Sequence, residues 1–180
     1  ILGMQPRNAR ALLRQCEAYR KVGEFQRALG LCQDAVASDP TLVAAQFRLG
    51  SMLYRERQFD GAREAFSACN EQDPDNLPCR YYLGLSQYYL GNCDEGWALL
   101  QTSLRTAQTL NAQDDILTIS EGLTAISNDP RCTNYSGRFG TPTPPESSGP
   151  KLRQTQAEYT AARPHAEPGV KPMMSSSKMY

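Results

Sequence analysis

The sequence predicts an all-α solenoid, and three observations carry that prediction. Residues 9–42, 43–76 and 77–110 share one pattern at a spacing of 34 residues, the period of a helix-turn-helix repeat. Asp39-Pro40 and Asp73-Pro74 close the first two segments, because the residue before a proline disfavours helical geometry. Small residues recur at equivalent places, Gly50 with Gly84 and Ala28 with Ala62. A glycine inside a helix costs about 1 kcal/mol, which is tolerable where two helices must cross closely. A unit of this kind cannot bury its apolar face alone, so it stacks on its neighbours.

Taken in order, helices are expected at 8–22, 25–38, 43–56, 59–72, 77–90 and 93–108. Gly23 and Gly91 stand where the first helix of a pair ends and suit a left-handed cap, with Arg57 as a departure at the same place in the second pair. The third segment decays at its end, since Gln108 replaces the proline. A seventh helix is expected over 114–127. There Ile116, Ile119, Leu123 and Ile126 recur at spacings of 3, 4 and 3, one helical face that covers the last repeat. The organisation is therefore a lead-in over 1–8, repeats over 9–110, a capping helix over 111–129 and a tail over 130–180.

The tail is a different material. It holds eight of the twelve prolines, counting from Pro130. Thr141 to Pro145 should be extended, and 151–163 has room for one short helix. Charge separates along the chain as well. Residues 1–130 carry 12 basic and 16 acidic side chains, a net of −4, and residues 131–180 carry 7 and 3, a net of +4. Opposite signs draw the tail toward the acidic body or toward an acidic partner. Aromatic contacts offset the entropy of ordering such a segment, so Tyr135, Phe139 and Tyr159 are its expected anchors.

Composition excludes several classes. Neither half has the dense positive charge of a nucleic-acid wrapper. No apolar run reaches the length of a membrane-spanning helix. Six cysteines are scattered without a CxxC pair, and the sole histidine, His165, lies in the tail, so neither a metal site nor a cofactor is expected. The cysteines read as free thiols in a reducing compartment. No phosphate loop is present and no His-assisted nucleophile can form in the repeats, so the chain reads as no enzyme. Asp114-Asp115 and Asp94-Glu95 fall at helix starts, where acidic groups simply suit the helix dipole. The chain opens on Ile1 rather than Met and reads as a fragment or a processed product.

Over residues 9–110 the pattern resembles the tetratricopeptide repeat family. The matching residues are Leu12, Cys16, Tyr19, Gly23, Phe25, Ala28, Ala35 and Pro40, then Leu49, Gly50, Leu53, Phe59, Ala62, Phe66 and Pro74, then Leu83, Gly84, Gly91, Gly96 and Leu100. The resemblance implies a right-handed solenoid whose first helices line a concave groove. By position that groove takes Leu13, Glu17 and Arg20, then Phe47, Arg48, Ser51 and Tyr54, then Tyr81, Tyr82, Leu85 and Tyr88. Its aromatic stripe suits protein recognition. The clamp by which some relatives hold a terminal carboxylate is absent, since its positions read Leu13, Glu17, Arg48, Pro78 and Tyr82. The expected function is a structural subunit of a multi-protein assembly. The alternative is an adaptor that binds a peptide in the groove. By analogy, the expected place is cytoplasmic or cytoskeletal, with a microtubule partner in a cilium or flagellum.

Overall fold

The computed structural model describes residues 8–132, all helix and short connections. The helices are α1 Ala9–Lys21, α2 Phe25–Ser38, α3 Val43–Arg55, α4 Phe59–Gln72, α5 Leu77–Tyr89, α6 Cys93–Thr109 and α7 Gln113–Asn128, followed by a 3-10 turn at Pro130–Cys132. Each begins and ends within one or two residues of the bounds expected from sequence. The expectations for Tyr135, Phe139, Tyr159, the extended stretch at Thr141 and the helix over 151–163 lie outside the described residues.

Local chemistry sets the ends. The Asn8 side chain accepts from the backbone N–H groups of Arg10 and Ala11 and caps α1. Asn76 caps α5 by accepting from Cys79 N, with Pro78 in the first turn. Gly23 and Gly91 take φ of 87° and 88°, as the left-handed cap requires. Arg57 is held at φ 59° in the same place, a conformation that costs a side-chain-bearing residue about 1–2 kcal/mol. Without a proline at position 108, α6 runs for 17 residues instead of 14 and stops at Asn111, which takes φ 54°.

The helices pair as α1 with α2, α3 with α4 and α5 with α6, and α7 lies on α6. Further contacts run α1 to α3, α3 to α5 and α5 to α7, while α2, α4 and α6 make none comparable among themselves. The first helices are thus the inner layer and the second helices the outer one, which makes the inner side concave.

One contact recurs in all three pairs with different chemistry. A Cβ on Gly50 would sit 2.8 Å from the Phe66 ring, and one on Gly84 would sit 2.2 Å from Leu100 Cδ1. These glycines admit a large side chain from the facing helix. The equivalent residues in the first pair are Cys16 and Cys32, and they form a disulfide with Cα atoms 5.4 Å apart. The bridge does the work of the missing bulk: the buried side chains of α1 and α2 are Ala9, Leu12, Ala28, Ala35 and the two cysteines.

The expectation of free thiols is corrected. Cys16–Cys32, Cys69–Cys79 and Cys93–Cys132 are disulfides, and none of the six cysteines is free. Sequence separations of 16, 10 and 39 match no local motif, and only the packing of helices brings the partners together. Cys69–Cys79 staples α4 to α5. One repeat earlier, the equivalent positions hold Ala35 and Ala45, which are buried together. Replacing both, Ala35→Cys with Ala45→Cys, should create a fourth bridge across the first repeat junction. Its closed loop of about ten residues adds roughly 2.5 kcal/mol in the chain-entropy account. Peptide mapping and urea melts check this. A pair of free thiols at 35 and 45 would refute the equivalence of the two junctions.

Candidate interaction groove

The buried residues of α1 are Ala9, Leu12 and Cys16. Arg10, Arg14 and Lys21 therefore fall on another face, with Glu17 between them at the spacing of one helical stripe. On α3, Ala44, Arg48, Ser51 and Arg55 make a stripe at spacings of 4, 3 and 4 that stays outside the core. The two stripes meet where Arg48 donates through Nε and Nη2 to Glu17 Oε1, at 3.1 and 2.7 Å. Both partners are about one-third exposed, so solvent screens the pair and its worth is small. The pair fixes orientation: it sets the Arg10, Arg14 and Lys21 edge of α1 beside the outer stripe of α3.

The sequence-derived groove residues separate into two groups. Glu17, Arg20, Arg48, Ser51 and Tyr54 remain half-buried on or beside this face, and Ser51 donates its hydroxyl to Phe47 O within the helix. Phe47, Tyr81, Leu85 and Tyr88 are buried, Tyr81 and Leu85 completely, so an exposed aromatic stripe is not what the structure forms. Tyr82, assigned to the groove on the same grounds, is buried as well. For Tyr81 the cause is α7. It takes the place of a fourth inner helix and lies against Tyr81, so closely that a Cβ on Gly122 would sit 3.3 Å from the Tyr81 ring, while Phe47 and Tyr82 are covered by Phe66 of α4.

The aromatic residues pack on one another instead. Tyr82 stacks on Phe66 at 5.4 Å and meets Tyr54 edge-on at 5.4 Å, while Tyr89 stacks on Phe59 at 4.6 Å. Burial first, then the neighbouring Tyr89 and Tyr81, holds the Tyr54 hydroxyl far above the usual phenol range. Desolvation does the same to Tyr81. These hydroxyls stay neutral throughout the physiological range.

A second cluster lies where α7 ends, and sequence reasoning missed it because Pro130 read only as the start of the proline-rich tail. Tyr88 Oη donates to Asp129 Oδ2 at 2.5 Å. Arg131 donates to both oxygens of Asp129, with Nη2 at 2.7 Å, and its guanidinium lies 5.3 Å from the Tyr88 ring. Arg131, then Tyr88, holds the Asp129 carboxyl well below the usual carboxylate range. Burial, then the bond to Asp129, pushes the Tyr88 hydroxyl up. Beside this network Cys132 is bonded to Cys93, so the end of the described chain is tied to the start of α6.

Among the described residues no three His, Cys, Asp or Glu side chains are grouped to hold a metal ion. None of the described helices is long and apolar enough to cross a membrane.

Paired helices stacked with a shared concave side define a helical-repeat scaffold. The fold is the one found in tetratricopeptide repeat proteins. A family model for the anaphase-promoting complex, cyclosome, subunit 3, matches residues 21–103, somewhat less than half of the chain. Three solved structures share the fold at low identity. The first repeat domain of Spaghetti (RPAP3), bound to the HSP90 peptide SRMEEVD, is 16% identical, with 69% of this chain and 99% of that one covered and a TM-score of 0.55. A MamA RS-1 double mutant is 18% identical, with 68% and 66% covered and a TM-score of 0.60. YrrB, described as having an unusual peptide-binding site, is 17% identical, with 64% and 60% covered and a TM-score of 0.53. No curated protein sequence matches the chain at a significant level.

Proposed function

We propose that this chain is a non-catalytic interaction module, a short stapled solenoid that carries residues 133–180 as an arm into a multi-protein assembly. The observation that carries the reading is the lock at the C-terminal end of the body. Cys93–Cys132 and the Tyr88, Asp129 and Arg131 network fix the point from which the proline-rich basic segment departs. A segment launched from a fixed point leaves less rotational freedom to be lost on docking. The tetratricopeptide fold generally serves protein contacts. The one histidine stands at His165, outside the body, and the cysteines are consumed in bridges, so the body offers no His-assisted nucleophile.

Three disulfides favour an oxidising compartment. They weigh against the cytoplasmic, cytoskeletal or axonemal place and the microtubule partner expected from sequence, which have no other observation behind them. The second reading, a peptide-binding adaptor, draws on one structural neighbour bound to a peptide and another described as having a peptide-binding site.

Truncation after Cys132 tests the arm. The truncated chain should keep its helical circular dichroism and lose co-purification with its native assembly. Normal incorporation would reject the arm and promote the adaptor.

A further inference from the structure

We propose that the concave face of the first two helix pairs docks an acidic, extended segment of a partner protein, read through its side-chain carboxylates and not through a terminal one. The proposal rests on the protein-interaction reading above and assigns it a face and a chemistry.

Charge on the body is segregated along the stack. Residues 8–33 carry five basic and two acidic side chains, whereas residues 34–132 carry seven basic and fourteen acidic. On the concave side the basic excess is sharper. Arg10, Arg14 and Lys21 from α1 and Arg48 from α3 share one stripe with Glu17, which Arg48 already holds. Arg55, at the end of the α3 stripe, lays its guanidinium over the Phe25 ring at the start of α2, 4.8 Å away, at the rim of the face. Arg10, Arg14 and Lys21 are exposed. Cations in a concavity with a protein wall behind them focus their field and concentrate anions.

The occupant follows from complementarity. The chain's own tail, with seven basic and three acidic side chains over residues 131–180, is repelled from this face and attracted to the acidic remainder of the body. The face is thus left for an external acidic ligand. A peptide suits it better than a nucleic acid. The cations lie along two neighbouring helices around the small residues Ala44 and Ser51, and the aromatic rings that would stack on bases are buried. The terminal-carboxylate arrangement is ruled out by the buried Pro78 and Tyr82 and by the pairing of Glu17 with Arg48.

Fluorescence anisotropy with the full chain tests this. The probes are a labelled twelve-residue Glu/Asp/Ala peptide with an amidated end, its Gln/Asn/Ala counterpart, and a single-stranded oligonucleotide. The amidated acidic peptide should bind, the neutral one should not, and binding should weaken at least tenfold between 50 and 500 mM salt as screening tightens. The double variant Arg10→Glu with Arg14→Glu should lose at least tenfold in affinity. Arg63→Glu, on α4 of the outer layer, should leave it unchanged. Equal binding of the neutral peptide, insensitivity to the α1 reversal, or tighter binding of the oligonucleotide would each overturn the proposal. Truncation after Cys132 should leave peptide affinity intact, so failure of the arm reading and failure of this one are separable.

Discussion

Reduction of the three disulfides should cost this domain most of its stability. The closed loops of 16, 10 and 39 residues do not overlap, so their constraints on the unfolded chain add. In the chain-entropy account they contribute about 2.5–4 kcal/mol each, roughly 9 together, against a total of about 5–15 for an ordinary domain. Urea melts with and without a non-absorbing reductant should therefore show the midpoint falling steeply, with the reduced chain partly unfolded in buffer. The effect should also be uneven. Replacing Cys16 and Cys32 by alanine should loosen α1 and α2 first, because the buried side chains there are few and small. The aromatic core between α3 and α7 should keep its near-ultraviolet signal. An unchanged midpoint under reduction, or loss of the aromatic signal in the Cys16 and Cys32 variant, would refute this account.

The parts of this fold that sequence revealed are those set by local chemistry. Helix starts and stops follow from residues acting within one turn: Asn8 and Asn76 as caps, Gly23 and Gly91 as left-handed stops, Asp39-Pro40 and Asp73-Pro74 as breaks. The close crossing at Gly50 and Gly84 was legible because the same small residue recurs at one phase of the repeat. What sequence missed depends on a later element covering an earlier one. Tyr81 occupies a groove position by count, and the placement of α7, with Gly122 against its ring, turns it into core. The bridges are hidden for the same reason. Cys16 and Cys32 each read as an ordinary small core residue, and their pairing becomes visible only when they are set against Gly50 with Phe66 and Gly84 with Leu100. The basic edge of α1 was averaged into an acidic body by the charge count over residues 1–130, and the Glu17 to Arg48 contact is what gives it a direction.

Two chemically identical substitutions should move stability in opposite directions. Gly30 lies in α2, exposed, and a Cβ there meets nothing within 4 Å. Gly30→Ala should therefore stabilise by about 1 kcal/mol through helix propensity alone. Gly96 lies in α6, where a Cβ would sit 2.8 Å from Gly84 O, 3.1 Å from Tyr88 N and 3.2 Å from Tyr88 Cβ. Two of those atoms are backbone, which cannot rotate away, so α6 must move off α5. Overpacking of this kind costs about 1–3 kcal/mol, and so tight a backbone contact belongs at the upper end, enough to outweigh the same propensity gain. Gly96→Ala should therefore destabilise by about 2 kcal/mol net in denaturant melts. The displacement also has a route to function. Tyr88 is the residue pushed, and its hydroxyl holds Asp129, which Arg131 grips beside the Cys132 bridge. Shifting Tyr88 should loosen the fixed base of residues 133–180 while leaving the concave face of α1 and α3 unaltered. Gly96→Ala should thus weaken incorporation into an assembly more than it weakens binding of an acidic peptide. Equal losses in both would mean that the lock and the groove are not independent parts of the molecule.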